Sequence, residues 1–260
     1  MSRIDPPRPI ALVADRRAAD SARELERALQ IDAGTRGDLE LQIHRVVSET
    51  TDASESGIHS LDEVCGAVFV VTASTDPAGL PGVPDALVEA WDACDDVGLP
   101  RLIALVDIDA PNAEIESMIE ACQESFGDLV PVLAVNLPIL SDDDRPIGVI
   151  DLLTGQIIDY SSGKPQRSPS EQRHRDLVRD ERSWLIEAIL AETEDESLVA
   201  SFLAGDPIDD RSLLHELHII MSRGRLHPMC VTAPSMNRLG VDVIVDLIAR
   251  GFPATPQATP

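Results

Sequence analysis

Two apolar runs limit the folds that this chain can adopt. Val64 to Thr72 and Arg101 to Val106 consist mostly of apolar residues, many of them β-branched. Strands of this kind are buried on both faces and are typical of parallel sheets covered by helices. Between them, Asp85 to Val97 is predicted to form a helix that Gly98 ends. The strand–helix–strand order predicts an α/β fold with a mainly parallel sheet and right-handed crossovers.

Further elements of the same kind flank these runs. The other predicted strands are Ile10–Val13, Leu39 through Val47, and Pro228–Thr232. The other predicted helices are Ala18–Gln30, Ala113–Phe126 with Asn112 as its cap, and Gly240–Arg250. Loops are predicted over Ser48–Ser60 and Asp76–Pro84.

The middle of the chain breaks this alternation. Val130–Leu140 and Gly148–Tyr160 are predicted strands joined by the acidic turn Asp142–Asp144, and Ser161–Pro169 is a predicted flexible loop. Amphipathic helices are then predicted over Glu171–Ala191 and from Asp210 to Gly224, with Leu198–Leu203 helical between them. This stretch predicts an insert within the α/β domain.

The charge of the chain restricts its partners. With 46 acidic and 21 basic residues, its net charge is −25. Such a surface repels phosphate backbones and anionic lipid, so direct nucleic-acid binding and membrane binding are not expected. We expect a protein partner with a basic surface.

The cysteines and the amino terminus indicate a compartment. Cys65, Cys94, Cys122 and Cys230 form no C-x-x-C pair, which predicts buried thiols in a reducing cytosol. The segment Met1 to Pro7 has no apolar signal core, and no apolar run reaches the ~18 residues of a membrane span. The sequence therefore predicts a cytoplasmic protein.

Short motifs in this order resemble the GTPase (G) domain of translation elongation factor G. They are Gly66-Ala67-Val68, Gly98-Leu99-Pro100-Arg101, Val130-Pro131-Val132 with Leu137-Pro138-Ile139, Gly148-Val149-Ile150-Asp151-Leu152, and Phe202-Leu203-Ala204-Gly205. The match is best from Leu61 to Pro256. It implies a P-loop NTPase-like sheet with an inserted α+β subdomain. The implied division is a G domain over 1–129 and 228–252, an insert over 130–227, and a disordered tail over 253–260.

The resemblance places a phosphate-binding loop at Ala14 to Ser21. In that loop glycines let backbone N–H groups approach phosphate, a lysine neutralises charge, and a Ser or Thr hydroxyl holds Mg²⁺. Here Ala14 and Ala19 stand where the glycines belong, Asp20 stands at the lysine, and only Ser21 suits the motif. At ~4 Å and an effective dielectric near 20, the attraction that is lost and the repulsion that replaces it are each ~4 kcal/mol. A helix dipole supplies up to ~2 kcal/mol, which does not offset this.

The guanine-reading motifs are also incomplete. Val106-Asp107-Ile108-Asp109 occupies the place of Asn-Lys-x-Asp, so only the final Asp is kept. Thr232-Ala233 falls at the family's Ser-Ala. Asp109 can read a guanine edge or serve as a turn carboxylate or helix cap, and the absence of Asn and Lys favours the structural role.

Other elements of the family's chemistry have no counterpart. The region Val46–Ala53 has no Asp-x-x-Gly, and Ile31–Asp38 leaves no room for the first switch loop. His59 lies too far along the chain to be assigned as the catalytic histidine. Arg16 and Arg17 either replace the lost lysine or are solvated, and the acidity of the chain favours solvation.

Two other clusters suggest metal sites and are interpreted structurally. His215 and His218 are spaced i, i+3 but have no identifiable third ligand, and Asp142–Asp144 lacks the spacing and glycine of a calcium loop. No metal site and no catalytic residue is predicted.

The sequence thus predicts a pseudo-GTPase without cofactor, which has lost GTP binding and hydrolysis and acts as an interaction or regulatory module on the translation machinery. The alternative is a divergent GTP-binding translation factor that binds GTP or GDP with Mg²⁺ through Arg16, Arg17, Ser21 and Asp109.

Overall fold

Two β-sheets organise the molecule, which is known from a computed structural model describing residues 7–48, 63–75, 81–127 and 129–256. The strands are β1 (Arg8–Asp15), β2 (Leu41–Ser48), β3 (Ala67–Thr72), β4 (Arg101–Val106), β5 (Val132–Ala134), β6 (Asn136–Leu140), β7 (Pro146–Asp151), β8 (Gln156–Asp159), β9 (Gln166–Pro169) and β10 (His227–Val231). The helices are α1 (Ala19–Arg36), α2 (Asp85–Asp96), α3 (Ile115–Phe126), α4 (Gln172–Leu177), α5 (Arg179–Glu192), α6 (Glu196–Ala204), α7 (Asp210–Ser222) and α8 (Val241–Gly251).

The larger sheet has six parallel strands in the order β2-β1-β3-β4-β10-β5. Every residue of β3 and β4 is buried, as their continuous apolar sequence predicts. Helices α1 and α8 pack side by side, α7 packs on α8, and α2 packs beside α3. The predicted α/β fold, a mainly parallel sheet flanked by helices, is confirmed.

The smaller sheet is antiparallel, in the order β6-β7-β8-β9. It joins the larger sheet through Asn136, whose side chain is fully buried at the start of β6. The Asn136 amide donates from Nδ2 to the carbonyl of Val231 (3.2 Å) and accepts at Oδ1 from the Val231 N–H (2.8 Å). One side chain therefore satisfies the backbone where β10 ends.

The structure corrects the prediction of Val130–Leu140 as one strand. The apolar run divides at Val135, whose N–H donates to Met229. Residues before that point, β5, pair with β10 in the larger sheet, and residues after it form β6. An apolar run carries no sign of a change of sheet, so the sequence could not show the division. The predicted boundaries of the insert at 130 and 227 stay a prediction.

Three further predictions in this region were wrong. Gly148–Tyr160 is the hairpin β7–β8, turned at Gly155 with φ of 62° and by Asp151, whose Oδ1 accepts from the N–H groups of Leu153 and Thr154. Part of the predicted loop Ser161–Pro169 forms the exposed edge strand β9, which is polar throughout and so lacks alternation. The predicted helix Glu171–Ala191 breaks at Val178, where no Gly or Pro marks the boundary.

Helix α1 is longer than predicted. It continues past Gln30 to Arg36, with Ala33 buried one turn after Leu29, and ends at Gly37, whose φ is 75°. The predicted loop Ile31–Asp38 is therefore mostly helical, and residues 37–40 alone connect α1 to β2.

Smaller differences affect two other elements. Helix α3 begins at Ile115, and Asn112 is not its cap, since the Asn112 amide donates to the Thr75 carbonyl (3.3 Å). Strand β3 begins at Ala67 rather than Val64. Most of the predicted loop Ser48–Ser60, most of Asp76–Pro84 and the end of the tail lie outside the described residues.

The cysteines are buried and unpaired, as predicted. Burial raises the pKa of the Cys94 thiol and of the Cys122 thiol to about 12, so both are inert apolar groups at neutral pH. No helix in the described ranges is long and apolar enough to cross a bilayer.

Candidate functional site

The candidate site lies at the carboxyl edge of the larger sheet. Strands β1, β3, β4 and β10 are neighbours there, and the segments that follow them meet at one edge. This edge is where open α/β sheets bind ligands. The nucleotide-binding positions implied by the sequence resemblance lie at the ends of these strands, in the segments that follow them, or at the start of α1.

Asp107 is the central residue of this edge. It follows β4 directly and has a φ of 59°, in the left-handed region. Its Oδ1 accepts a hydrogen bond from Ser21 Oγ (2.6 Å), and its Oδ2 accepts one from Thr72 Oγ1 (2.7 Å). A single carboxylate thus connects the first turn of α1 with the ends of β3 and β4.

The turn between β1 and α1 is closed by a second carboxylate. The side chain of Asp15, the last residue of β1, accepts from the backbone N–H of Ala18 at Oδ1 (3.1 Å). Its Oδ2 accepts from Arg17 Nε (2.9 Å). The Arg17 guanidinium also donates to the Gly82 carbonyl (3.2 Å), so the Arg17 side chain makes its hydrogen bonds within the protein. The interpretation of Arg17 as only solvated is therefore incomplete.

The remaining positions of the phosphate loop surround these two carboxylates. Ala14 is buried in β1, in register with Val70 of β3. Ala19 begins α1. Asp20 is exposed in the same turn and forms an ion pair with Arg23. The position that the resemblance assigns to a lysine thus presents a carboxylate to solvent.

The loops after β4 and β10 form the other half of the edge. Val106 is buried at the end of β4. Asp109 lies in the following turn, and its carboxylate accepts from Ser235 Oγ (3.3 Å). Buried Thr232 donates from its hydroxyl to the Leu239 carbonyl (2.6 Å), and the N–H of Ala233 donates to the same carbonyl (3.0 Å).

Backbone strain is concentrated in the loop after β10. Asn237, Arg238 and Gly240 all have positive φ, at 52°, 56° and 77°. The Arg238 guanidinium pairs with Asp32 of α1 (2.7 Å), which holds the loop against that helix. A Cβ at Gly240 would lie 2.5 Å from the Val231 carbonyl oxygen, so this position requires glycine.

The structure brings together two of the predicted site residues, Ser21 and Asp107. Asp109 contacts Ser235 instead. Thr232 and Ala233 donate to the Leu239 carbonyl and so close the loop after β10. Sequence reasoning missed the roles of Asp15 and Thr72. The signal for Thr72 was a single hydroxyl at the end of an apolar strand.

The candidate metal clusters do not assemble. Among the described residues, no group of three or more His, Cys, Asp or Glu side chains could hold a metal ion. Asp142–Asp144 forms the turn between β6 and β7, as predicted, with Asp144 at a φ of 56°.

Comparison with known proteins places this fold and edge in a family. No protein-family model matches the chain. Two sequences named elongation factor G-like protein, from Mycobacterium tuberculosis strains CDC 1551 / Oshkosh and ATCC 25618 / H37Rv, are 32% identical to it over 205 residues. The match covers 75% of this chain and 26% of each relative. Elongation factor G of Mycoplasma pneumoniae is 23% identical over 205 residues, covering 76% of this chain and 28% of that protein.

A solved structure agrees with these matches at the level of the fold. A crystal structure of a Thermus thermophilus protein superposes with a TM-score of 0.72 at 20% identity, over 95% of this chain and 40% of the other. Fold and edge define an α/β domain of the P-loop NTPase-like class. The sequence matches make it an elongation factor G-like domain, and it spans about a quarter of the length of these relatives.

Proposed function

We propose that this domain is a pseudo-GTPase, which neither binds nor hydrolyses GTP and acts as an interaction or regulatory module of the translation machinery. The observation that carries the proposal is the 2.6 Å hydrogen bond from Ser21 Oγ to the Asp107 carboxylate. The resemblance places Ser21 where a hydroxyl would hold Mg²⁺ and places Asp107 where the guanine motif has lysine. The residues present do not fit a nucleotide–Mg²⁺ complex.

Electrostatics at this edge supports the proposal. Asp15 and Asp20 lie on the segment where the resemblance places the phosphate chain, and Asp107 stands at the lysine of the guanine-reading motif and contacts Ser21 of that segment. A carboxylate about 4 Å from a phosphate charge, at an effective dielectric near 20, costs ~4 kcal/mol. Asp20 and Asp107 thus carry a negative charge where the family has a lysine, and Asp15 adds a third carboxylate to the same edge.

The backbone supports it as well. An α-helix amino terminus binds phosphate through N–H groups that are free to donate. Here the N–H of Ala18 already donates to Asp15. The connection between α1 and β2, residues 37–40, is too short for a loop that wraps a nucleotide and supplies a second Mg²⁺ ligand.

The alternative is a divergent GTP-binding translation factor, and it has one specific support, the names of the matched relatives. It would use Arg16, Arg17, Ser21 and Asp109. Arg17 is bound to Asp15 and Gly82, and Asp109 accepts from Ser235, so both would have to exchange these contacts for nucleotide.

Calorimetric titration of the purified protein with GTP and with GDP, each with Mg²⁺, separates the two functions. We expect no binding tighter than about millimolar for either nucleotide, equivalent to about 4 kcal/mol of binding free energy. Low-micromolar affinity for either one would overturn the pseudo-GTPase. An unfolding scan of the same preparation establishes that the domain is folded.

The partner we propose is a basic component of the translation machinery, met in the cytoplasm through the acidic surface. A net charge of −25 favours association with basic protein surfaces and opposes contact with nucleic acid.

A further inference from the structure

A groove of about 740 Å³ runs along α7 and reaches the end of α8, away from the candidate nucleotide edge. Two serines line it together with Arg211, Leu214, His215, His218, Ile219 and Arg250. The lining contains two arginines and two histidines but no carboxylate. In a chain with 46 acidic and 21 basic residues, this composition is a local reversal of the overall charge.

Arg211 is unusual because it is unpaired. Within the described parts of the chain, no hydrogen-bond or ion-pair partner is found for its guanidinium. By contrast, Arg223 just after α7 pairs with Glu194 (2.7 Å). The two acids of α7 itself are engaged elsewhere: Asp210 with Arg182 (3.7 Å), and Glu216 with the Thr193 hydroxyl (2.6 Å). Arg211 is therefore free to receive an acidic group from outside.

The other end of the groove carries Arg250. Its Nε lies 3.1 Å from Asp246, the acid that packs behind the groove. The same Asp246 oxygen also receives the Arg36 guanidinium at 2.8 Å. Arg36 also pairs with Asp38 (3.0 Å), so the charges within this cluster balance. The side chain of Arg250 is 55% exposed, and its guanidinium therefore remains accessible from the groove.

His218 lies at the same end of the groove as Arg250, because both side chains face Asp246. Its side chain is 8% exposed, and its Nε2 has no hydrogen-bond partner among the described residues, with the second Asp246 oxygen 4.0 Å away. Burial lowers the pKa of His218 to about 4, so the ring is neutral at pH 7. Buried polar atoms are rarely left without a hydrogen bond, because an unpaired one costs free energy. A ligand in the groove can supply the hydrogen bond that His218 Nε2 lacks.

The dimensions of the groove decide which anion fits. Arg211 and His218 are seven positions apart on α7, or about 10 Å at 1.5 Å per residue. One phosphate group is too small to contact both ends. In a peptide in the extended polyproline II conformation, with three residues per turn and about 3.1 Å per residue, carboxylates three positions apart lie on the same face and span about 9 Å. The apolar side chains of Leu214 and Ile219 lie between, where the intervening residues of such a peptide would pack.

We infer that the groove between α7 and α8 binds an extended peptide segment of a partner protein, with two carboxylates about three residues apart and apolar residues between them. This site is separate from the nucleotide edge and does not depend on whether the domain binds GTP. The groove is lined by arginines in an otherwise acidic protein. It therefore binds a negatively charged segment that the rest of the surface repels. Binding weakens as salt rises, because both ends of the contact are ionic.

The test is a nuclear magnetic resonance titration of the ¹⁵N-labelled protein with the blocked tetrapeptide Glu-Leu-Val-Glu. The matched probe Gln-Leu-Val-Gln has the same shape without charge. We expect the first peptide to shift amide signals of α7 and of the last turn of α8, and the second to bind at least fivefold more weakly. Absence of shifts at millimolar peptide, or shifts elsewhere on the protein, would overturn the proposal.

Two variants and a control assign the ends of the site. Arg211→Gln and Arg250→Gln should each weaken binding at least fivefold, whereas Arg173→Gln on α4, an exposed arginine outside the groove, should not change it. Arg211 has no partner to lose, so its variant separates binding from folding. Equal affinity of Arg211→Gln and wild type would contradict the inference. Inorganic phosphate that produces the same shifts with the same affinity would also contradict it, since the site would then recognise any small anion.

Discussion

Ser21 Oγ donates to Asp107 Oδ1 across 2.6 Å, although 86 positions separate the two residues in the chain. The bond ties the start of α1 to the end of β4 without any ligand. In an acidic protein this edge is thus stabilised by one of its own carboxylates, which stands where the family resemblance has the lysine of the guanine-reading motif.

Restoring the phosphate loop alone should not restore catalysis. The double variant Ala19→Gly, Asp20→Lys supplies the second glycine and the lysine of the loop but leaves Asp107 bound to Ser21 and the α1–β2 connection short. We expect no GTP turnover above background in a phosphate-release assay. Measurable turnover would mean that a catalytic element outside this edge has been overlooked.

The negative charge of Asp107 should limit the GDP affinity of this double variant. Adding Asp107→Asn removes a negative charge next to Ser21 and keeps the shape of the side chain. We expect the triple variant to bind GDP more tightly than the double variant in calorimetry, because a negative charge beside Ser21 is removed from the candidate site. Equal affinities of the two variants would show that Asp107 does not face the nucleotide position.

The hydroxyl of Thr72 should contribute to stability. Thr72→Val is nearly isosteric but leaves Asp107 Oδ2 without its 2.7 Å hydrogen bond. Hydrogen bonds to charged groups contribute ~1.5–3 kcal/mol, and we expect a loss near the lower end in urea denaturation. Thr72→Ser keeps the hydroxyl and should lose less. If the Thr72→Val and Thr72→Ser variants are equally stable, the hydrogen bond to Asp107 contributes nothing to the free energy of unfolding.

Acid should destabilise the domain through His227. This residue is fully buried beside Arg101, whose guanidinium nitrogen lies 3.1 Å from His227 Nε2. Burial, and then the positive charge of Arg101, lower the pKa of His227 to about 3. The unfolded chain takes up this proton near pH 6.5, so stability is full above that pH and falls as the pH drops toward 3.

The pH dependence can be assigned by substitution. The melting temperature of His227→Gln should fall less between pH 7.5 and pH 5 than that of the wild type. His44→Gln, on exposed β2, is the matched control and should keep the wild-type slope. An unchanged slope in His227→Gln would remove this histidine as the cause.

Substitution of two glycines by alanine should change the stability of the domain in opposite directions. Gly240→Ala places a Cβ 2.5 Å from the Val231 oxygen at a φ of 77°, and we expect a loss of more than ~1 kcal/mol. Gly34→Ala, inside α1 with open space around it, should stabilise by ~0.5–1 kcal/mol. Chemical denaturation measures both. A tolerated alanine at position 240 would show that the loop after β10 adapts.

Salt should control any association with translation components. We expect no co-sedimentation with vacant ribosomes in near-physiological salt, because the chain and ribosomal RNA repel one another. Contacts with basic proteins should weaken as salt rises. Association that survives high salt would identify an apolar interface instead.

The strands that the sequence could predict are those whose residues are buried on both faces of the sheet. The bounds of β4 were predictable because burial on both faces leaves an uninterrupted apolar run. The bounds of β9 were not, since an exposed edge strand needs no apolar residue. The identities of Ala19 and Asp20 predicted a damaged phosphate loop. The Ser21–Asp107 hydrogen bond was not predictable, because it depends on the spatial order of β1, β3 and β4, which local patterns do not encode.

The buried amide of Asn136 has a mechanical consequence. Both of its hydrogen bonds go to Val231, and the next residue, Thr232, begins the strained loop beside α1. Tilting the small antiparallel sheet would leave buried polar groups unpaired, at ~1–3 kcal/mol for each. A displacement of that sheet would therefore pull on the backbone at the end of β10, one residue before the loop of the candidate site.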